Sequence, residues 1–175
     1  LKMVLEALLG PSKPLPQAIL ADIIKQVPAS RLSPHPLIQQ DADIRVRHAR
    51  GHSFPDWLAM RYGQIGVFPD GVALPETSLQ VKELLQYAKQ HNVTVIPYGG
   101  GTSVVGGVEA AVGAGYQGSV SVDMTRLNRV LEIDHTSRAA RIQAGALGPV
   151  LEDQLAPHGL TLRHYPQSFE FSTLG

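Results

Sequence analysis

The chain has 175 residues, of which 43% are hydrophobic and 17% charged, and its formal net charge is +0. That length fits one domain or two small subdomains with a real core, and nothing in the charge balance points to nucleic acid or an anionic membrane as a main partner; no nucleic acid is expected. With no cysteine there is no disulfide, thiolate catalyst or Cys-type zinc site, which suits a reducing compartment such as the cytoplasm.

Residues 1–9 read as a helix, with Leu1, Val4, Leu5 and Leu8 at helical spacing and Gly10-Pro11 as the stop. The stretch is too short for a transmembrane span and lacks a signal-peptide cleavage pattern. Residues 17–27 repeat the pattern with Ile19, Ile23, Ile24 and Val27, and 28–36 form a loop. Residues 1–40 therefore read as a helical appendage packing beside a main domain over 41–175. Residues 41–57 carry Arg45, Arg47, His48, Arg50 and His52. His48 and His52 have the spacing of a helical metal pair, but Gly51 and Pro55 break helices and no third ligand follows. An exposed basic loop is the reading, and no metal is expected. The segment from Pro69-Asp70-Gly71 is a turn, then a short strand ending at Pro75.

Thr77 and Gln80 form a capping-box pattern. The helix they open carries Val81, Leu84, Leu85 and Ala88 on one face and Lys82, Glu83, Gln86 and Lys89 mainly on the other. It ends near His91-Asn92, where Asn accepts a left-handed cap. Residues 93–96 are a strand that delivers Pro97-Tyr98-Gly99-Gly100-Gly101-Thr102-Ser103. Three glycines in a row suit a tight loop whose successive N–H groups converge on an anion. No Lys or Arg lies between Pro97 and Gly107, so a phosphate here would meet backbone dipoles and hydroxyls. A Walker A loop is excluded, because Gly107 and Val108 follow Gly106 where Lys and Ser/Thr are required. A Rossmann fingerprint is disfavoured: its third glycine falls on Val104, and the glycines beyond leave no helix, although Asp123 lies at about the ~20-residue distance of a ribose-binding acid.

Residues 108–118 are rich in alanine and glycine and read as a mobile loop. Residues 119–123 alternate like a strand. Residues 130–134 and 139–144 read as a hairpin, 149–156 as a helix ended by His158-Gly159, and 160–162 as a short strand. The chain closes on Gln167-Ser168-Phe169-Glu170-Phe171-Ser172-Thr173-Leu174-Gly175.

The glycine loop, this closing run and their spacing resemble the PCMH-type FAD-binding domain of the vanillyl-alcohol-oxidase kind. The subgroup resembled is alkyldihydroxyacetonephosphate synthase with its bacterial FAD-linked oxidase relatives. The resemblance runs from about Gly51 to Gly175. It implies an α+β fold of two small α/β subdomains with the flavin between them. It also implies FAD contacts from Pro97, Tyr98, Gly99, Gly100, Gly101, Thr102 and Ser103, and from Gln167, Ser168, Phe169, Glu170, Phe171, Ser172 and Thr173. Ser168, Ser172 and Thr173 are the natural hydrogen-bonding groups, with Phe169 and Phe171 as packing residues and Glu170 as a cap or salt bridge facing away. Many members carry Asp where Gln167 stands, and a Gly-His pair like Gly51-His52 makes His52 a cofactor- or substrate-side candidate. Relatives that attach FAD covalently use a His in the glycine loop; this loop has none, so non-covalent FAD is expected.

Such families place catalytic and substrate residues downstream of these motifs. The resemblance thus implies a portion of a longer FAD-linked oxidoreductase, with no catalytic residue in this chain, inactive alone and holding FAD weakly or not at all. Its substrate would be a small molecule or lipid precursor. The synthase exchanges an acyl group for a fatty alcohol without net redox change; oxidation of a D-2-hydroxy acid such as lactate or glycolate is the alternative. A non-catalytic partner-binding remnant and a different nucleotide or sugar phosphate are further alternatives, and a homodimer is compatible with any of them.

Overall fold

In the computed structural model, which describes residues 2–11 and 15–175, the chain builds a four-stranded sheet and a separate hairpin. Strands β1 (Ile38–Gln39), β2 (Gly71–Ala73), β3 (Val93–Tyr98) and β4 (Gly118–Asp123) lie in the order β1-β2-β4-β3. β2, β4 and β3 are parallel and β1 is the antiparallel edge. β4 is buried along all six residues, as a central parallel strand covered on both faces should be. The alternation read over 119–123 is therefore between two covered faces. Val120 and Val122 enter the main core, while Ser119 and Ser121 are buried with their hydroxyls unpartnered among the described residues.

The helix from Thr77 forms as the sequence predicts. The Thr77 hydroxyl accepts the Gln80 N–H at 3.2 Å, and Asn92 closes the helix at φ 51. The Gln80 side chain differs in detail, since it takes the N–H of Glu76 at 2.6 Å. This long helix, Ser78–His91, buries Leu84, Tyr87 and Ala88 against Ala73, Val93, Val120 and Val122. Leu84, 1% exposed, contributes about 2 kcal/mol by burial alone. The helix and the sheet together fix the point where β3 releases the glycine loop.

A second unit follows. Strands β5 (Val130–Asp134) and β6 (Ala139–Ile142) pair antiparallel, and a helix over Gly148–Leu155 covers them. Ala146, Leu151 and Leu155 form its core with Val130, Ile133 and Ile142. Residues 160–162 form no strand; Leu160 packs into this core, and the Leu162 N–H goes to Glu152.

The N-terminal part departs from expectation in several places. The helix expected over 1–9 spans Lys2–Leu9, with Leu1 outside the described residues, and none of its residues is buried. The second is shortened to Leu20–Ile24. β1 belongs to the main sheet, and Leu32 and Ile38 belong to its core. Residues 41–57 are not an exposed loop. They form a helix over Ala42–Arg47, with Arg45 and His48 buried, and enter another over Phe54–Tyr62. Ser53 caps the latter in a reciprocal box with Asp56, and Pro55 sits in its first turn. There the missing N–H costs nothing, because first-turn donors have no intrahelical acceptor. In the segment 108–118, Val108 and Ala110 are buried.

Candidate functional site

β3 ends at Tyr98, and the chain turns through Gly99, Gly100 and Gly101. Each glycine is demanded by something that the protein itself places there. A β-carbon on Gly99 would sit 3.1 Å from the Thr173 β-carbon and closer still to its hydroxyl. On Gly100 it would sit 2.6 Å from the Phe171 carbonyl carbon and inside the shell of its oxygen. Gly101 has φ +68, and its β-carbon would sit 2.8 Å from Cζ of Tyr98. The triple glycine thus serves close internal approach, and the closing run lies directly on the loop.

That run is a compact turn. The N–H groups of Phe171 and Ser172 both bond the Ser168 carbonyl, at 2.9 and 2.7 Å. Thr173 bridges to Leu147 in antiparallel fashion, and the N–H groups of Leu174 and Gly175 bond Ala146 and Ala144. The second unit therefore holds the run in place. The hydroxyls of Thr102 and Ser172, 70 positions apart, meet at 3.0 Å.

The loop's own donors remain free. Among the described residues, no acceptor takes the N–H of any residue from Gly100 through Gly106. Ser103 Oγ accepts the Gly107 N–H at 3.0 Å, leaving its own O–H to donate outward. Free consecutive N–H groups with hydroxyls beside them form a neutral anion cradle.

Residues between β1 and β2 complete the surround. The His52 N–H bonds the Ser103 carbonyl at 2.7 Å, and Gly51 lies against that carbonyl without room for a side chain. The Arg50 guanidinium links Glu109 (2.9 Å) to Asp56 (3.4 Å) and the Ile65 carbonyl, tying the far side of the loop to the Phe54–Tyr62 helix. His48 and His52 do not form a pair. The His48 ring faces Asp123 at 2.9 Å and the Ile44 carbonyl at 2.8 Å, while the His52 ring lies 5.6 Å from that of Trp57. Asp123 is thus a structural partner of His48, not a ribose acid. Burial pushes its carboxyl up, but hydrogen bonds from His48 and Thr125 outweigh that and hold it below the usual carboxylate range. Burial, with Asp123 nearby, raises the Tyr98 phenol.

Of the other predicted residues, Phe169 packs on Gly148 and lies 5.2 Å from the Tyr165 ring. Phe171 is 60% exposed and is no packing residue; its backbone carbonyl is what touches the loop. Gln167 and Glu170 are exposed, and Glu170 makes no salt bridge among the described residues. Beside Pro97, Gly99 and Thr173 opens an apolar cavity of about 280 Å³, walled by Leu84, Leu85 and Val122.

The family model described as "FAD binding domain" matches residues 69–175, from just before β2 through the closing run. The chain belongs to this FAD-binding family. The cofactor of this family is FAD. The chain is 42% identical to alkyldihydroxyacetonephosphate synthase of Dictyostelium discoideum over 79% of its length and 22% of that protein's. It is 39% identical to the Trypanosoma brucei brucei enzyme over the same shares. Glycolate oxidase subunit GlcD of Bacillus subtilis is 27% identical over 61% of this chain and 22% of its own. A solved structure of alkyldihydroxyacetonephosphate synthase superposes with a TM-score of 0.81 at 34% identity, covering 99% of this chain and 35% of that one. The chain thus spans about a fifth of the length of these curated relatives. Among the described residues, no helix is long and apolar enough to cross a membrane.

Proposed function

We propose that this chain is the flavin-binding portion of an alkyldihydroxyacetonephosphate synthase-like enzyme and holds FAD without a covalent bond. The observation that carries the reading is the meeting of Thr102 and Ser172 beside free N–H groups from Gly100 to Gly106. In this reading those N–H groups and the hydroxyls of Thr102, Ser103 and Ser172 hold the diphosphate. Pro97, Tyr98, Gly99, Gln167, Ser168, Phe169, Glu170, Phe171 and Thr173 line the remainder of the cofactor's path. The apolar cavity beside Gly99 offers a flat ring system a surface away from water. FAD when bound supplies the electron-accepting chemistry, and the chain's task is to place it and control access. The synthase reading rests on the 42% and 39% identities. The likeness to a glycolate oxidase subunit supports oxidation of a small 2-hydroxy acid as a second reading. Cytoplasmic location and a small-molecule or lipid-precursor substrate, with homodimeric assembly open to the same chemistry, belong to this proposal.

The test uses the full-length protein. It should take up FAD saturably, and acid precipitation should release the flavin into the supernatant. Flavin that stays with the precipitate overturns the non-covalent assignment, and absence of saturable FAD binding overturns the whole reading. Turnover of a 2-hydroxy acid, with no exchange on acyl-dihydroxyacetone phosphate, would select the second reading.

A further inference from the structure

The cradle raises a physical question of its own. Seven consecutive residues whose N–H groups find no acceptor among the described residues are held by backbone bonding only through their carbonyls, at Ser103 and Gly106. Something else must fix them before a ligand arrives, or the ordering entropy is charged against binding.

We propose that His48 is a positioning residue for this loop, acting through Tyr98 and without touching the ligand; the consequence for FAD rests on the functional reading above. The parallel register of β3 and β4 sets Tyr98 beside Asp123, on the face opposite the long helix. The Ala42–Arg47 helix ends there and lays His48 over both. His48 is 8% exposed, and each of its ring nitrogens meets an acceptor: Asp123 Oδ2 at 2.9 Å and the Ile44 carbonyl at 2.8 Å. The other oxygen of Asp123 takes the N–H and hydroxyl of Thr125 at 2.9 and 2.6 Å. The imidazole is therefore fixed in both position and tilt. Its ring lies 4.5 Å, centroid to centroid, from the Tyr98 ring, tilted by 52°, and the Tyr98 hydroxyl donates to the Arg47 carbonyl at 3.3 Å. Tyr98 in turn is the post around which the loop bends, because Gly101 doubles back onto its phenol at φ +68. The chain of contact runs Asp123, His48, Tyr98, Gly101, and Gly101 lies within the run of free N–H groups from Gly100 to Gly106.

The experiment is a double-substitution cycle in the full-length protein with His48→Leu, Tyr98→Leu and both together, with His48→Gln as a variant that keeps a donor for Asp123. Two quantities are read: the FAD dissociation constant, by flavin fluorescence, and flavin-free proteolysis at Val104-Val105, relative to cleavage elsewhere. Val104 and Val105 are 65% and 89% exposed, so a loosened loop is cut first. His48→Leu should weaken FAD tenfold or more and speed cleavage at Val104-Val105 selectively. His48→Gln should fall between it and the parent. The double variant should lose no more than the worse single one, because the two residues act in series. Additive losses, or faster cleavage spread evenly over the chain, would overturn the proposal, as would a His48→Leu protein with parental affinity and cleavage. If the parent protein takes up no FAD, the functional reading falls. The proteolysis arm then decides the role of His48 alone.

Discussion

Gly100→Ala tests the seam between the two motifs with a single methyl group. The added carbon would sit 2.6 Å from the Phe171 carbonyl carbon and nearer its oxygen, where ordinary contact needs about 3.4–4 Å. Relief requires a retreat of roughly 2 Å, set by the carbonyl oxygen, and the obstacle is backbone, which cannot swing aside as a side chain does. The carbonyl belongs to a turn pinned by the Ser168 bonds and by Leu174 and Gly175 on the second unit. Overpacking of this kind costs about 1–3 kcal/mol. If the strain is relieved by parting the loop from the closing run, Thr102 and Ser172 separate and the cradle opens. At about 1.4 kcal/mol per factor of ten, FAD affinity should fall roughly ten- to hundredfold. The assay is a fluorescence titration of the full-length variant with FAD, alongside a flavin-free thermal melt. Gly113→Ala is the control, since its β-carbon would meet only Tyr116 at 3.7 Å and should change neither reading. Unchanged FAD affinity in Gly100→Ala would refute the reasoning, because the close approach would then have no bearing on the cofactor.

Three further outcomes follow from the packing and charges. Thr102→Val and Ser172→Ala should each weaken FAD, and in a double-variant cycle their effects should be coupled by about 0.5–1.5 kcal/mol; strict additivity would mean the 3.0 Å contact is idle. Asp70 sets an acid limit on stability. Burial raises its carboxyl, but the forked contact from Arg31, at 2.9 and 2.7 Å, and the N–H groups of Ser119 and Arg31 outweigh burial and depress it. A depressed carboxyl stabilises the fold above its unfolded value of about 3.9, and that contribution is lost as pH falls through the lower folded value. Thermal midpoints should therefore drop below about pH 4, and Asp70→Asn should flatten that decline while lowering the neutral-pH midpoint; a parallel acid decline in the variant would assign it to other groups. Leu84→Ala should cost about 2–5 kcal/mol in chemical denaturation, since Leu84 is 1% exposed in the main core.

Much of the fold was legible because its signals are local. Thr77 and Gln80 announce a helix start and Asn92 its end, and both act in the structure. The glycine loop and the closing run were legible as a pair, and the structure joins them. Elsewhere the position of a residue within its element overrides its usual local preference. Pro55 reads as a breaker, yet in a first turn after Ser53 it is compatible with a helix. Residues 160–162 are apolar enough for a strand, but they pair with none of the described strands, and Leu160 packs into the core of the second unit instead. The three glycines announce a tight loop with a close approach, and what approaches is Thr173, Phe171 and Tyr98 of the chain itself, which no local pattern names. The contact of His48 with Asp123, 75 positions away, has no local signature, because it arises where the end of the Ala42–Arg47 helix docks on the sheet. The parallel pairing of β3 and β4 buries Ser119 and Ser121, which the sequence shows only as an alternating pattern.

Hydrogen exchange, read residue by residue in the full-length protein with and without FAD, bears most directly on the cradle. Amides from Gly100 to Gly106 should exchange fast without the flavin and slow markedly once it is bound, with Ser172 and Thr173 changing alongside them. Saturable FAD binding that leaves those amides exchanging as fast as before would place the diphosphate elsewhere and contradict the site.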